Sequence, residues 1–321
     1  MSSGDSENYM SGSSKSESAQ LPVISVCMIT YNHGPFIARA IEGVMEQDPP
    51  YTFKLVIGED CSTDNTRQIC LEYERLHPGI IRVLESSANL GITGNFIRTL
   101  AACRGRYIAL CEGDDFWTSS SKLHSQVSFL EKNPEYGMVS GRVEMVDEQG
   151  LTPADTSQLE EQLSRMKREP GFFDLLEYNM INTPTVCLRR EVLRRLVDEA
   201  LALNIWFCVD YWFWLRIAVR EKLYLADEVF ASYRVHSDGA SRQGSFLRRR
   251  MPWIRYDAVI HYVREHMDIT GSQKAVLFKT MAAVAKSRAS DSSLRIRALM
   301  WCIRKPLFFI ARIRQRMVKQ G

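Results

Sequence analysis

Tyr107-Ile108-Ala109-Leu110-Cys111-Glu112-Gly113-Asp114-Asp115-Phe116-Trp117 is the stretch on which the fold turns. Its five mostly apolar residues predict a buried strand that runs directly into an acidic cluster. Carboxylates are too costly to bury without partners, so the cluster must face water, a cation or both. In parallel α/β sheets ligands bind beyond the carboxyl ends of the strands, which makes this the first place to look for chemistry.

Working outward, Val23–Ile29 is a nearly continuous β-favouring run, the pattern of a central strand covered on both faces. The turn Thr30-Tyr31-Asn32-His33-Gly34-Pro35 leads to Ile37, Ala40, Ile41, Val44 and Met45 at helical spacing, with Pro35 near the first helical position. Phe53–Ile57 repeats the strand and Gly58–Ser62 the turn, and Thr63 or Asp64 caps a helix striped by Ile69, Tyr73 and Leu76. Ile80–Leu84 predicts a third strand, Asn89–Gly94 a loop, and Phe96, Leu100 and Cys103 a helix before the opening stretch. Strands alternating with helices in this way predict right-handed crossovers and a mainly parallel, Rossmann-like α/β sheet flanked by helices.

Beyond Trp117 the pattern gives a helix on Leu123, Val127 and Leu130, an apolar segment Met138–Ser140, and a polar stretch from Asp147 to Glu169 that reads as a mobile loop. Phe172–Tyr178 and Arg190–Leu201 read as helices flanking a strand Thr185–Leu188. Asp210 opens an aromatic-rich helix through Arg220, and a last strand Glu228–Val235 ends at His236. The expected organisation is a disordered tail over 1–20, a nucleotide-binding α/β half over 21–120, a second half over 121–244 and a helical, basic region over 245–321.

Composition narrows the class. With 45% hydrophobic and 25% charged residues among 321, the chain is globular, and a net charge of +3 gives no support to nucleic-acid binding. Eight cysteines without a CxxC pair, several inside apolar runs, read as buried thiols in a reducing compartment. The first twenty residues are Ser-rich with no apolar core, so no secretory leader is expected, and no apolar run is long enough to span a bilayer. A cytoplasmic location follows, with one qualification. From Leu294 onward there are eight Lys or Arg and no Asp or Glu, interleaved with Trp301, Leu307, Phe308 and Phe309, which suits peripheral contact of 294–319 with the anionic inner face of the membrane. The alternative is an ordinary amphipathic helix packed on the domain.

GxGxxG and GxxxxGK[ST] are both missing, so a bound phosphate needs another counter-charge. Adjacent Asp114 and Asp115 diverge on an extended backbone, so one can hold Mg²⁺ or Mn²⁺ while the other accepts a sugar or ribose hydroxyl; a capped turn is the plainer reading. Glu59-Asp60-Cys61-Ser62 lies at the matching place after the second strand, where Asp60 either caps the next helix or accepts the N–H of a base. Tyr31 either stacks on that base or packs locally. Asp210 is either a helix N-cap or a general base, and Trp117, Trp206 and Trp212 offer faces for sugar rings if they are not core.

Thr30-Tyr31-Asn32, Glu59 to Thr66, Asn89-Leu90-Gly91, Gly105 to Ile108 and Glu112 to Trp117, in this order, resemble family 2 glycosyltransferases of the GT-A fold over residues 22 to 240. The resemblance implies an inverting, metal-dependent transfer from a nucleotide-diphosphate sugar, with a UDP-sugar as expected donor. The acceptor would be a hydroxyl of a glycan or lipid-linked saccharide in cell-surface polysaccharide synthesis. By the same resemblance, Thr30, Tyr31, Asn32, Asp60, Asn89 and Asp114 contact the donor, Asp115 and His236 hold the metal, and Asp210 in Val209-Asp210-Tyr211-Trp212 is the catalytic base. Glu59 replaces the family's usual aspartate, and no arginine lies between Gly91 and Asn95. A nucleotidyltransferase would share the sheet and the acidic residues, but its Gly-rich, cationic triphosphate loop is not found after the first strand. A non-catalytic sugar-nucleotide-binding protein would keep the same fold.

Overall fold

A computed structural model describes residues 23–237 apart from 154 and 204–207, together with Gly239 and seven positions between 254 and 280. The expected tail over 1–20, the membrane-facing segment 294–319 and Trp206 lie outside the described residues. Of the helical region expected over 245–321 only those seven positions are described, among which Ile254, Ala258 and Val259 are helical and buried.

The apolar runs form strands β1 (Ile24–Thr30), β2 (Phe53–Glu59), β3 (Ile81–Leu84) and β4 (Tyr107–Leu110), with helices α1 (Ile37–Met45), α2 (Thr66–Leu76) and α3 (Gly91–Ala102) between them. β1 is central for the reason its sequence gives. Cys27 packs into a core on one face while Ile24, Val26 and Met28 pack into a second core on the other. Full burial of such side chains stabilises by roughly 1.5–3 kcal/mol each.

The second half supplies β5 (Phe116–Trp117), α4 (Lys122–Lys132), β6 (Tyr136–Val146), α5 (Ser157–Arg165), α6 (Phe172–Glu177), a short 3₁₀ turn (Thr183–Thr185), β7 (Cys187–Arg189), α7 (Arg190–Leu203), α8 (Val209–Arg220) and β8 (Lys222–Arg234). Several of these depart from the sequence expectation. The polar stretch 147–169 contains α5 instead of being one loop, Gly91 to Gly94 already belong to α3, and β7 starts two residues later than expected. β8 begins six residues before Glu228, because the strand continues through an exposed irregularity at Asp227 and Glu228 that breaks its apolar pattern.

The eight strands among the described residues form one sheet in the order β3-β2-β1-β4-β7-β6-β8-β5. β1 pairs in parallel with both β2 and β4, so strand order reverses at β1 and leaves a crevice at its carboxyl end. β7 is antiparallel to β4 and β6, which returns β6 and the parallel β8 to the direction of β1. The carboxyl ends of β1, β2, β4, β6 and β8 therefore meet along one edge. No described helix is long and apolar enough to cross a membrane.

Candidate active site

The acidic cluster takes its position from β1. Past the end of β4, the Cys111 N–H still donates to the Cys27 carbonyl at 3.1 Å and the Gly113 N–H to the Ile29 carbonyl at 2.9 Å. The chain thus stays extended alongside β1 and delivers Glu112–Asp115 beside Thr30. Gly113 is required for this approach, since a Cβ there would lie 2.7 Å from Thr30 Oγ1 and 2.9 Å from Ile37 Cδ1.

Side chains alternate along the extended segment, and this decides which carboxylate goes where. Asp114 Oδ2 lies 3.0 Å from His236 Nε2 and 3.8 Å from His33 Nε2. The ligand atoms of these three residues all lie within 4.8 Å of one another. Asp115, expected at the metal, points away from them. It is buried, and its Oδ1 accepts the Arg234 N–H at 2.8 Å. Asp114, expected at a sugar or ribose hydroxyl, is the carboxylate that meets His236. Among the described residues His33, Asp114 and His236 are the group able to hold a cation.

Arg234 fastens the cluster to the end of β8. Its Nε donates to the Asp114 carbonyl at 3.0 Å and its Nη1 to the carbonyls of Asp147 and Glu148. Its guanidinium also lies 4.7 Å from the Phe36 ring, which in turn packs 5.2 Å from His236.

The charges follow from this packing. Burial works to raise the Asp114 carboxyl, but the hydrogen bond from His236 and the proximity of His33 and His236 outweigh it and hold Asp114 below the usual carboxylate range. Burial and the neighbouring charges of Asp114 and Asp210 push Glu112 well up, and burial with the charges of Asp114 and Glu112 does the same for Asp115. Burial likewise raises Asp210. Three polar atoms shielded from solvent at this edge have no hydrogen-bond partner among the described residues: Thr30 Oγ1, His33 Nδ1 and Glu112 Oε2. Buried polar groups are nearly always paired, so orphaned atoms together at one sheet edge are what a site for a polar ligand leaves behind.

Asp210 sits in the first turn of α8, where the helix N-terminus favours a negative charge. It follows Cys208, held in the left-handed region at φ 43°. Its Oδ2 accepts a hydrogen bond from Thr183 Oγ1 at 3.3 Å, and its charge is felt by Glu112, so α8 presents it to the acidic cluster.

The expected donor contacts occupy the same edge with differing exposure. Tyr31 is 41% exposed and Thr30 is buried. Asn32, left-handed at φ 55°, ties the β1 and β2 loops together: its N–H donates to Ser62 Oγ and its Oδ1 accepts from the Thr63 N–H. Asp60 is buried with Oδ1 accepting the Leu90 N–H, and Asn89 Oδ1 accepts the Gly91 N–H at the start of α3. Two aromatic expectations are corrected. Trp117 is 1% exposed with its indole N–H on the Pro184 carbonyl, and Trp212 is fully buried, so both are core and neither walls an acceptor pocket. His33 and Glu112 are the residues that reading the sequence left without a role; the two-residue spacing of Glu112 and Asp114 was the available signal.

The model of the Glycosyl transferase family 2 matches residues 25–197, more than half of the chain. The chain belongs to glycosyl transferase family 2. An uncharacterized protein of Mycobacterium tuberculosis is 32% identical over 230 residues, covering 72% of this chain, which spans 63% of that relative's length. TuaG of Bacillus subtilis, named for a provisional role as a teichuronic acid biosynthesis glycosyltransferase, is 26% identical over 76% of this chain and 91% of its own. Two of the solved structures that share the fold carry nucleotide sugars. The mannosyltransferase PcManGT of Pyrobaculum calidifontis, in complex with GDP-Man and Mn²⁺, gives a TM-score of 0.57 at 17% identity, covering 94% of this chain and 81% of that one. S. aureus TarS 1–349 in complex with UDP-GlcNAc gives 0.54 at 15% identity, covering 86% and 83%. The mixed, mostly parallel sheet described above is thus of the GT-A type.

Proposed function

We propose that the chain transfers a sugar from a nucleoside-diphosphate sugar to a saccharide hydroxyl with inversion at the anomeric carbon, in the synthesis of a surface polysaccharide. The observation that carries this reading is the meeting of Asp114, His33 and His236 with Glu112 and Asp210 at the carboxyl edge of a family 2 sheet. The relatives' donors and the teichuronic acid role support the substrate classes.

The donor's base would lie over exposed Tyr31, beside the loop that Asn32 and Asp60 hold in place. Asp114 and His236 offer an oxygen and a nitrogen 3.0 Å apart. Two ligands about 2.1 Å from a common ion and at right angles are separated by about 3.0 Å, so the pair fits a divalent cation without rearrangement. Such a cation, when bound, offsets charge developing on the departing nucleoside diphosphate as a Lewis acid. Glu112, rather than Asp114, is then the carboxyl for a donor hydroxyl, because its Oε2 is shielded and has no partner among the described residues. Asp210 takes the proton of the acceptor hydroxyl as that oxygen attacks the anomeric carbon and the bond to the diphosphate breaks. The raised pKa of Asp210 makes it a stronger base than a solvated carboxylate.

The test is release of nucleoside diphosphate from a panel of UDP- and GDP-sugars with Mn²⁺ and a saccharide acceptor. Asp210→Asn is expected to lower turnover by about 10²–10⁴-fold with donor affinity retained. Near wild-type turnover in that variant would overturn the assignment of the base.

A further inference from the structure

We infer that His33 is a third protein ligand of the divalent cation, making a site of two imidazoles and one carboxylate that favours Mn²⁺ and Co²⁺ over Mg²⁺. The inference rests on the cation site proposed above and adds to it both a ligand and a metal preference.

His33 is held in place by backbone bonds that leave it little freedom. Its carbonyl accepts the N–H groups of Phe36 and Ile37 at 2.8 Å each, which starts α1. On either side, Asn32 is bound to Ser62 and Thr63, and the Gly34 N–H donates to Asp64 Oδ2 at 2.9 Å. Gly34 also lies so close to the β2 loop that a Cβ would be 2.0 Å from Asn65 Oδ1. The turn is therefore locked against its neighbour, and the imidazole projects from it toward Asp114.

What the ring meets there favours coordination. Its Nε2 is 3.8 Å from Asp114 Oδ2, beyond hydrogen-bond length, and its ring stands edge-on to that of His236 at 6.1 Å between centroids. Its Nδ1 is shielded and has no partner among the described residues. Among the described residues neither ring nitrogen has a hydrogen-bond partner, and the shielded Nδ1 has given up its hydration without gaining one. An ion between the three residues supplies that partner. The separations of Asp114 Oδ2 from His236 Nε2 and from His33 Nε2, 3.0 and 3.8 Å, both fall within the roughly 3.0–4.2 Å expected between cis and trans ligands about 2.1 Å from one centre.

The preference follows from donor type. Mg²⁺ prefers all-oxygen surroundings and gives up water reluctantly, whereas imidazole strengthens binding along the series from Mn²⁺ to Co²⁺ and beyond. With His236 alone the site would be mostly oxygen and water. With His33 added, two of its three protein donors are nitrogens.

The experiment uses the full chain stripped of metal with a chelator and titrated calorimetrically with MnCl₂, CoCl₂ and MgCl₂ without nucleotide, for the wild type, His33→Gln, His33→Ala and Asp114→Asn. Wild type is expected to bind Mn²⁺ and Co²⁺ at least tenfold more tightly than Mg²⁺. Each His33 variant should lose about 10–100-fold for Mn²⁺ and Co²⁺ with little change for Mg²⁺. Electron spin-echo modulation of the Mn²⁺-loaded wild type should count two coordinated imidazole nitrogens, a readout that holds even if a variant misfolds. A count of one, or equal losses for all three metals, overturns His33 as a ligand. Loss of all binding in Asp114→Asn with Mn²⁺ unaffected by His33 substitution would leave the parent site standing without the third ligand. Undiminished Mn²⁺ binding in Asp114→Asn would remove the parent site itself.

Discussion

Lys122 carries a charge into a place without water. It is fully buried at the start of α4, its ammonium 4.1 Å from the Trp117 ring centroid and donating to Gln126 Oε1 at 2.8 Å. Burial pushes its pKa down to about 8, and the neighbouring thiols Cys111 and Cys187, themselves raised by burial, stay neutral and give it no counter-ion. Between about pH 8 and the unfolded value near 10.4, the unfolded chain holds the proton and the folded chain does not, so stability rises with pH across that window. Lys122→Met is expected to gain stability relative to wild type at pH 7, and urea melts should show that advantage shrinking by about 3 kcal/mol between pH 8 and 10.4. A pH-independent difference across that window would show that Lys122 titrates in the folded chain as it does in the unfolded one, so that burial does not lower its pKa. At the same scale Glu112→Gln removes a buried carboxyl whose Oε2 has no partner among the described residues, and in chelator at pH 8 it should raise the melting temperature; below the ordinary carboxylate range, where Glu112 is protonated folded or unfolded, the gain should vanish. Residue types at the site were legible in the sequence: the acidic cluster, Asp210 and His236 all stand out. Their pairing was not. Whether Asp114 or Asp115 faces His236 depends on the pleat beyond β4, and His236 is separated from Asp114 by 122 residues, a distance no local spacing encodes.

At the scale of elements, the contact that positions the acidic turn is the one between α1 and β5. Gly43 lies so close to β5 that a Cβ would be 2.8 Å from the Trp117 carbonyl and 3.0 Å from its N, both backbone atoms that cannot rotate aside. Gly43→Val must push α1 off the strand that follows Asp115. A loss of about 1–3 kcal/mol in thermal melts, with weaker Mn²⁺ binding than wild type, is the expected outcome. An unchanged melting temperature would mean the helix tolerates the displacement. Elements with a clear apolar period, such as β1, β2, α1 and α8, were read close to their true bounds. β5 was missed because two residues carry no period, α5 because its stretch is dominated by polar residues, and the first part of β8 because Asp227 and Glu228 interrupt its pattern. Such elements owe their form to neighbours that local sequence does not reveal.

Over the whole molecule, the expected seam near residue 120 is crossed by continuous pairing. β4 bonds to β7, and β5, next in sequence after β4, lies at the far edge of the sheet beyond β8. Calorimetry of the full chain should therefore show one transition covering residues 23–237, with calorimetric and van't Hoff enthalpies equal. Residues 21–120 expressed alone should aggregate through the bare edge of β4; a monomeric, folded fragment would show that the first half is an independent domain. The fastening of Asp115 and Asp114 by Arg234 also has a meaning during synthesis. A nascent chain leaving the ribosome exposes β1, β2 and β4 more than a hundred codons before Arg234 and His236 emerge. Until they do, the charged turn lacks both its clasp and the imidazole of His236, so the cluster is completed only when the last strand of the sheet has been made.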